Sequence, residues 1–211
     1  MTLSGTPQIT YRESYSACKA PTSINFTSIV KPGGTLTISW SGAEGGTNNT
    51  ISGYDIYYKI GSAPTTSSYT DMASVSSTST SGSKDFTVPP SASNNRGNAF
   101  YAMVRTKGAA GASYYSSWKE GNGGKVNSLP NAPTVSASPT RIKSTGSTTV
   151  TFTVTAGSTN DTGQTASLYY ATSASGTKTV FTSPLKPSLS AAATYYFWTY
   201  DGLEYSSSYA S

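Results

Sequence analysis

Few side chains in this sequence could do chemistry, and their neighbours decide against most of them. Asp201 and Glu204 are close enough to suggest an acid–base pair, in which one carboxyl is protonated and the other ionised. Asp201-Gly202 also sits between Tyr200 and Leu203 as the two-residue turn of a hairpin, where Asp and Gly suit positive φ angles. The turn is the expected role. Asn160-Asp161-Thr162-Gly163 opens like a calcium loop, yet lacks the further acidic ligands such a site needs, and is expected to be a plain turn. Cys18 is the single cysteine, which forbids an internal disulfide and a cysteine-based zinc site. The chain has no histidine, so neither Cys18 nor any serine has the usual general base. The glycines near 33, 45 and 123 fall in interstrand turns without the Lys-Ser or helix that a phosphate loop requires. The expectation is a non-enzymatic protein with no catalytic residues, no metal site and no cofactor. Three glycosylation-type triplets, Asn25-Phe26-Thr27, Asn48-Asn49-Thr50 and Asn160-Asp161-Thr162, arise easily by chance in a chain this rich in Asn and Thr.

Aromatic placement is more informative. If Tyr195, Phe197 and Thr199 face a core, then Tyr196, Trp198 and Tyr200 point outward, and Tyr169 on the neighbouring strand joins them. Tyr57 and Tyr101 make a smaller version in the first half. Aromatic rings gathered on a solvent face need a partner. Three remain open: burial against an adjacent subunit, stacking on the apolar faces of sugar rings, or cross-strand pairing within the sheet.

The elements that must position these rings are strands. Leu36-Thr37-Ile38-Ser39-Trp40 alternates apolar and hydroxyl residues, as does Tyr54 to Ile60, with 54, 56, 58 and 60 on one face. Phe100, Ala102 and Val104 repeat the pattern, and weaker strands are expected at 69–75 and 84–88. A first strand is expected over 22–30 and a closing strand over 113–118, making seven. Gly121-Asn122-Gly123-Gly124 has the composition of a flexible connection, and Pro130 and Pro133 follow it, which places a linker at 121–132. Beyond it Val150, Phe152 and Val154, then Leu168 and Tyr170, then Val180-Phe181, then Tyr195 to Tyr200, sketch a second, sparser set. Gly53-Tyr54-Asp55-Ile56-Tyr57-Tyr58 corresponds to Thr165-Ala166-Ser167-Leu168-Tyr169-Tyr170, which points to duplicated domains. Thr10 to Ser16 resembles a third, partial copy of a closing strand. Residues 1–20 are therefore read as an N-terminal arm, with 8–17 either adding to an edge of a neighbouring subunit or forming a loose terminus.

Composition agrees. At 211 residues the chain is about right for two sandwiches of roughly 100 residues each. It is 35% hydrophobic and 11% charged, with 16 tyrosines, which favours strands and turns over helices. The net charge of +5 comes from 14 Lys and Arg spread without a basic run, so no nucleic-acid partner is expected. No segment approaches a membrane span, and Met1 to Tyr11 lacks a basic region followed by an apolar core, so no secretory signal is expected.

From Pro21 to Trp118 the chain resembles fibronectin type III domains. The likeness is carried by Pro21, by Trp40, by Ile51-Ser52-Gly53-Tyr54-Asp55-Ile56-Tyr57-Tyr58, and by Val104-Arg105-Thr106-Lys107-Gly108 before a Ser-rich stretch. Phe100 departs from it, standing where the family usually has a corner tyrosine. The loop Ser41 to Asn49 is similar to versions found in bacteriophage structural proteins and bacterial surface proteins. Residues 132–211 resemble the family more loosely and lack the tryptophan. The resemblance implies an all-β chain of two tandem immunoglobulin-like (fibronectin type III type) β-sandwiches, at 21–120 and 133–211. It also implies a bacteriophage virion component, in a tail, baseplate or capsid decoration. Its expected partners are other virion subunits or copies of itself, and a host cell-surface glycan if the tyrosines reach one. The alternative is a carbohydrate-binding or spacer module of a bacterial secreted enzyme or adhesin, located outside the cell or on its surface.

Overall fold

The computed structural model describes residues 12–211. The chain is all-β and divides into two compact units, the first running to Pro89 and resuming over Asn98–Lys125, the second made of Pro90–Gly97 and Val126–Ser211. Among the described residues no helix is long and apolar enough to cross a membrane.

The first unit contains β1 (Ser23–Phe26), β2 (Ile29–Val30), β3 (Thr35–Ser41), β4 (Ile51–Ile60), β5 (Asp71–Ser76), β6 (Gly82–Thr87), β7 (Ala99–Gly108) and β8 (Lys119–Val126). One sheet has the order β1-β3-β6 and the other β2-β8-β7-β4-β5. That strand order is an immunoglobulin-like sandwich of the fibronectin type III kind. The alternation read from sequence sets the inward faces. Leu36, Ile38 and Trp40 of β3 are buried, as are Tyr54, Ile56 and Tyr58 of β4 and Phe100, Ala102 and Val104 of β7. Trp40 and Tyr54 meet at 4.9 Å between ring centroids, and so do Tyr58 and Phe86. Each fully buried aliphatic side chain contributes about 1.5–3 kcal/mol. Burial pushes the Tyr58 hydroxyl up to about 12, with Asp71 adding to the rise, so it stays a neutral donor to the Thr87 carbonyl.

The stretch expected as one strand over 22–30 is two strands on different sheets, because the chain crosses over at Thr27-Ser28: Thr27 bonds Thr37 of β3, and Ser28 accepts from Lys125 of β8. The closing strand is not 113–118, which begins as a 3-10 turn at Ala112–Tyr114, but β8. The supposed linker 121–132 therefore starts inside a strand. Its glycines serve close packing rather than flexibility: a Cβ on Gly121 would lie 3.3 Å from Ile24, and one on Gly123 3.0 Å from Phe26. The tolerance is smaller still at Gly124, which has φ +58° and would bring a Cβ against the Thr27 carbonyl.

The N-terminal arm is also narrowed. Residues 8–11 of the segment expected to pair with a neighbour lie outside the described residues, and 12–17 form no strand. Residues 14–19 are held by their own unit. Ser16 N–H donates to Thr47 O and Cys18 N–H to Tyr114 O, while Lys19 bridges to Glu44. The buried Asn49 gathers this contact: its amide donates to Ser16 O and Tyr114 O, and its Oδ1 accepts from Ala110 N–H.

The second unit contains β9 (Thr134–Ser138), β10 (Thr148–Thr149), β11 (Thr151–Thr155), β12 (Ser167–Ala171), β13 (Thr179–Phe181), β14 (Ser188–Leu189) and β15 (Tyr196–Tyr200). β9 pairs with β11, β10 with β14, and the remaining sheet has the order β13-β12-β15. Isolated bridges extend the ladders, Phe152 to Leu185 on one side and Phe197 to Ala210 on the other. Phe152, Phe181, Tyr195 and Phe197 form the aromatic core, with Phe152 5.4 Å from Phe197.

Candidate functional site

The outer faces of each unit differ in kind, and alternation on the strands creates the difference. In the first unit β3 turns Thr35, Thr37, Ser39 and Ser41 outward, opposite Thr87, Asp85, Ser83 and Ser23 on its neighbours. In the second, Thr151, Thr153 and Thr155 lie opposite Ser138, Ser136 and Thr134. These faces are rows of hydroxyls. The opposite sheets carry the outward aromatic rings.

On the first unit Tyr57 points out from β4, half-buried, with Tyr69 4.9 Å away and Trp118 at 5.3 Å, both edge-on. Arg105 of β7 lies 4.7 Å over Trp118 and 5.0 Å over Tyr115, a stacked cation worth about 0.5–2 kcal/mol per ring. Its Nε and one terminal nitrogen donate to Asp55 Oδ2 at 2.9 and 2.8 Å. Lys107 stands 3.6 Å from the other carboxylate oxygen, which also accepts from the Ser74 hydroxyl. Burial raises the Asp55 carboxyl, but the Ser74 hydrogen bond, Arg105 and Lys107 outweigh it and hold the group below the usual carboxylate range. The carboxylate is thus a fixed anion, unsuited to trading protons near neutral pH. Tyr101 also points outward, half-buried, opposite Lys59 and Asn122, one row from Tyr57. Tyr57 finds its ring neighbours in Tyr69 and Trp118 instead.

On the second unit the outward set is where alternation put it, but it is not an open platform. Trp198 is only 4% exposed. Tyr196 lies 6.3 Å from it and Tyr209 5.5 Å, while the Lys178 ammonium sits 4.5 Å over its ring. Tyr169 contacts Tyr200 and Tyr205 at 5.5 and 5.2 Å, and Tyr200 and Tyr205 are 4.8 Å apart. Burial, then Tyr169 and Tyr200, raise the Tyr205 hydroxyl, which stays neutral. Of the six rings read from sequence, four thus fall into one cluster, and Tyr57 and Tyr101 lie on the first unit. Sequence reasoning missed Tyr69, Tyr115, Trp118 and Arg105 on the first unit, and Lys178, Tyr205 and Tyr209 on the second. Arg105 and Trp118 share the outward register of Asp55, a signal hidden by ending the closing strand at 118.

The acidic residues of the second unit are bound to structure. Glu204 forms two hydrogen bonds with Arg96 at 2.7 and 2.9 Å, and Asn127 donates to both Glu204 and Asp201. Asp201 Oδ1 accepts from the backbone of Leu203 and Glu204, so the aspartate caps the turn through its side chain, and positive φ falls to Gly202 alone at 98°. Asp161, 3% exposed, accepts from Ser128 N–H. Among the described residues no group of three or more His, Cys, Asp or Glu is placed to hold a metal ion.

No protein-family model and no curated protein matches this sequence. Among solved structures, the crystal structure of chicken CNTN1 FN1-FN3 domains is similar over 92% of this chain, at 13% identity and a TM-score of 0.34. This chain spans 64% of the length of that one. The strand order in each unit, rather than that likeness, makes this a chain of fibronectin-type, immunoglobulin-like β-sandwiches.

Proposed function

We propose that the chain is a non-enzymatic structural component of a bacteriophage virion, in a tail, baseplate or capsid decoration, and that it assembles with other subunits through its aromatic sheet faces. One observation carries the assembly reading: in each unit the rings and the stacked cation collect on one outer face, while the other is lined by hydroxyls. Tyr, Trp, Arg and Met are the residues that protein interfaces concentrate and that contribute most to binding. The virion context rests on the loop Ser41 to Asn49 and the Ser/Thr-rich sandwiches. Fold alone does not assign it.

The rival, a sugar-binding or spacer module, needs an open ring face. Tyr209, 45% exposed, offers one, whereas Trp198 lies under Lys178 and Tyr209. That covering, made by the unit's own side chains, removes Trp198 as a sugar platform and leaves the exposed rings Tyr209 and Tyr69 as the contact candidates. The test is electron microscopy of particles released from the lysed host, labelled with an antibody against this chain. Label on tails, baseplates or capsids is expected. Label confined to the bacterial surface or to secreted protein would give the rival the assignment.

A further inference from the structure

We propose that β5 is a strand-addition edge through which two copies of this chain pair, joining their five-stranded sheets across a twofold axis at Ser74. The proposal rests on the assembly reading above and names its partner and its contact.

Among the described residues the first unit has four sheet edges, β1, β6, β2 and β5. Three are blunted in ways that discourage pairing. β2 is two residues long. β1 has four residues and follows Pro21. β6 carries Lys84 and Asp85 and runs into Pro89. β5 is the least blunted: it is six residues long, pairs with β4 without a register shift, and its one charge, Asp71, stands at its first residue. The matching edge of the second unit, β13, has only three residues.

Backbone parity says which groups β5 offers. Ser77 N–H donates to Ser52 O across the β4 ladder. Bonding alternates in an antiparallel pair, so Asp71, Ala73 and Val75 turn their backbone groups toward β4, and Met72, Ser74 and Ser76 turn theirs away. The Met72 amide confirms the parity by bonding the Asp71 carboxylate instead of β4. Among the described residues no strand takes up this edge.

A second copy fits it. A twofold at Ser74 sets Met72 against Ser76 of the partner and Ser74 against its own equivalent; the Ser74 pair can exchange both bonds and each Ser76 N–H can reach a Met72 O, while the Met72 N–H stays with Asp71, and no like charges are brought together. It sets Asp71 against a serine, Ser77. Met72, 41% exposed, lies beside Tyr57, and Tyr69, 43% exposed, packs on that same ring. These supply apolar area that backbone bonds alone do not.

Light scattering of the full chain across concentration tests this. The wild-type mass is expected to rise from one chain of 21.9 kDa toward two. Ser76→Pro removes an outward N–H, and Met72→Lys combined with Ser76→Lys sets ammonium groups opposite one another in both outer pairs. Both are expected to remain single chains with an unchanged circular dichroism spectrum. Mixing that lysine variant with one carrying Met72→Glu and Ser76→Glu is expected to restore the doubled mass. A wild type that stays a single chain at every concentration overturns the proposal. So does a dimer that persists in both variants. In either case the virion reading stands or falls separately, on the labelling of particles.

Discussion

Replacing Asn49 by alanine is expected to cost the first unit about 3 kcal/mol and to free residues 12–19 from it. The side chain is 1% exposed and serves both hydrogen-bonding functions at once, donating to Ser16 O and Tyr114 O and accepting from Ala110 N–H. Alanine takes that partner from Ser16 O and Ala110 N–H, while Tyr114 O keeps the Cys18 N–H, at about 1–3 kcal/mol for each group that water cannot reach. A backbone contact reinforces the demand, since a Cβ on Gly108 would collide with the Asn49 amide. Aspartate has nearly the same shape but no donor, and is expected to behave as badly. The check is a urea unfolding curve with timed trypsin digestion. Asn49→Ala should lower the midpoint and speed cleavage at Lys19 about tenfold or more, because each 1.4 kcal/mol of opening free energy is a factor of ten. An unchanged digestion rate would mean that Lys19–Glu44 and the backbone bonds hold the segment alone.

Trp198→Ala is expected to destabilise the second unit by about 3 kcal/mol, the low end for a buried aromatic truncated to alanine. An exposed stacking residue on a sheet would cost about 0.5 kcal/mol or less. The indole is covered by Tyr209 on one side and Lys178 on another, and its loss opens a hole between them. Calorimetry separates the two cases, and Val180→Thr, at a side chain 60% exposed on the same sheet, serves as the exposed control, expected to change stability little. A Trp198→Ala protein with wild-type stability would show that the ring is accessible in solution and would return it to the sugar-binding reading.

Much of the fold was legible because alternation is a local signal that the core must respect. Trp40, Tyr54, Ile56, Phe100 and Val104 point inward as their spacing required. Composition misled at β8, since Gly121 to Gly124 reads as a loop until Ile24 and Phe26 are seen to press on it from the facing sheet. The division at Thr27-Ser28 was hidden for a related reason: both halves carry strand-type apolar residues, and only the choice of neighbour separates β1 from β2. At the candidate site, alternation supplied the direction of Trp198 but not its cover, which comes from Lys178 before the strand and Tyr209 after it. The chain is also rich in asparagine, and nothing local marks Asn49 as the one that joins three segments.

The aromatic sheet faces are proposed as the contact surfaces of the assembled chain. Hydroxyl-radical footprinting of the chain, free and inside isolated particles, tests this most directly. Tyr69, Met72, Trp118 and Tyr209 are expected to be oxidised in the free chain and protected in particles. Equal oxidation of those four in both states would contradict it.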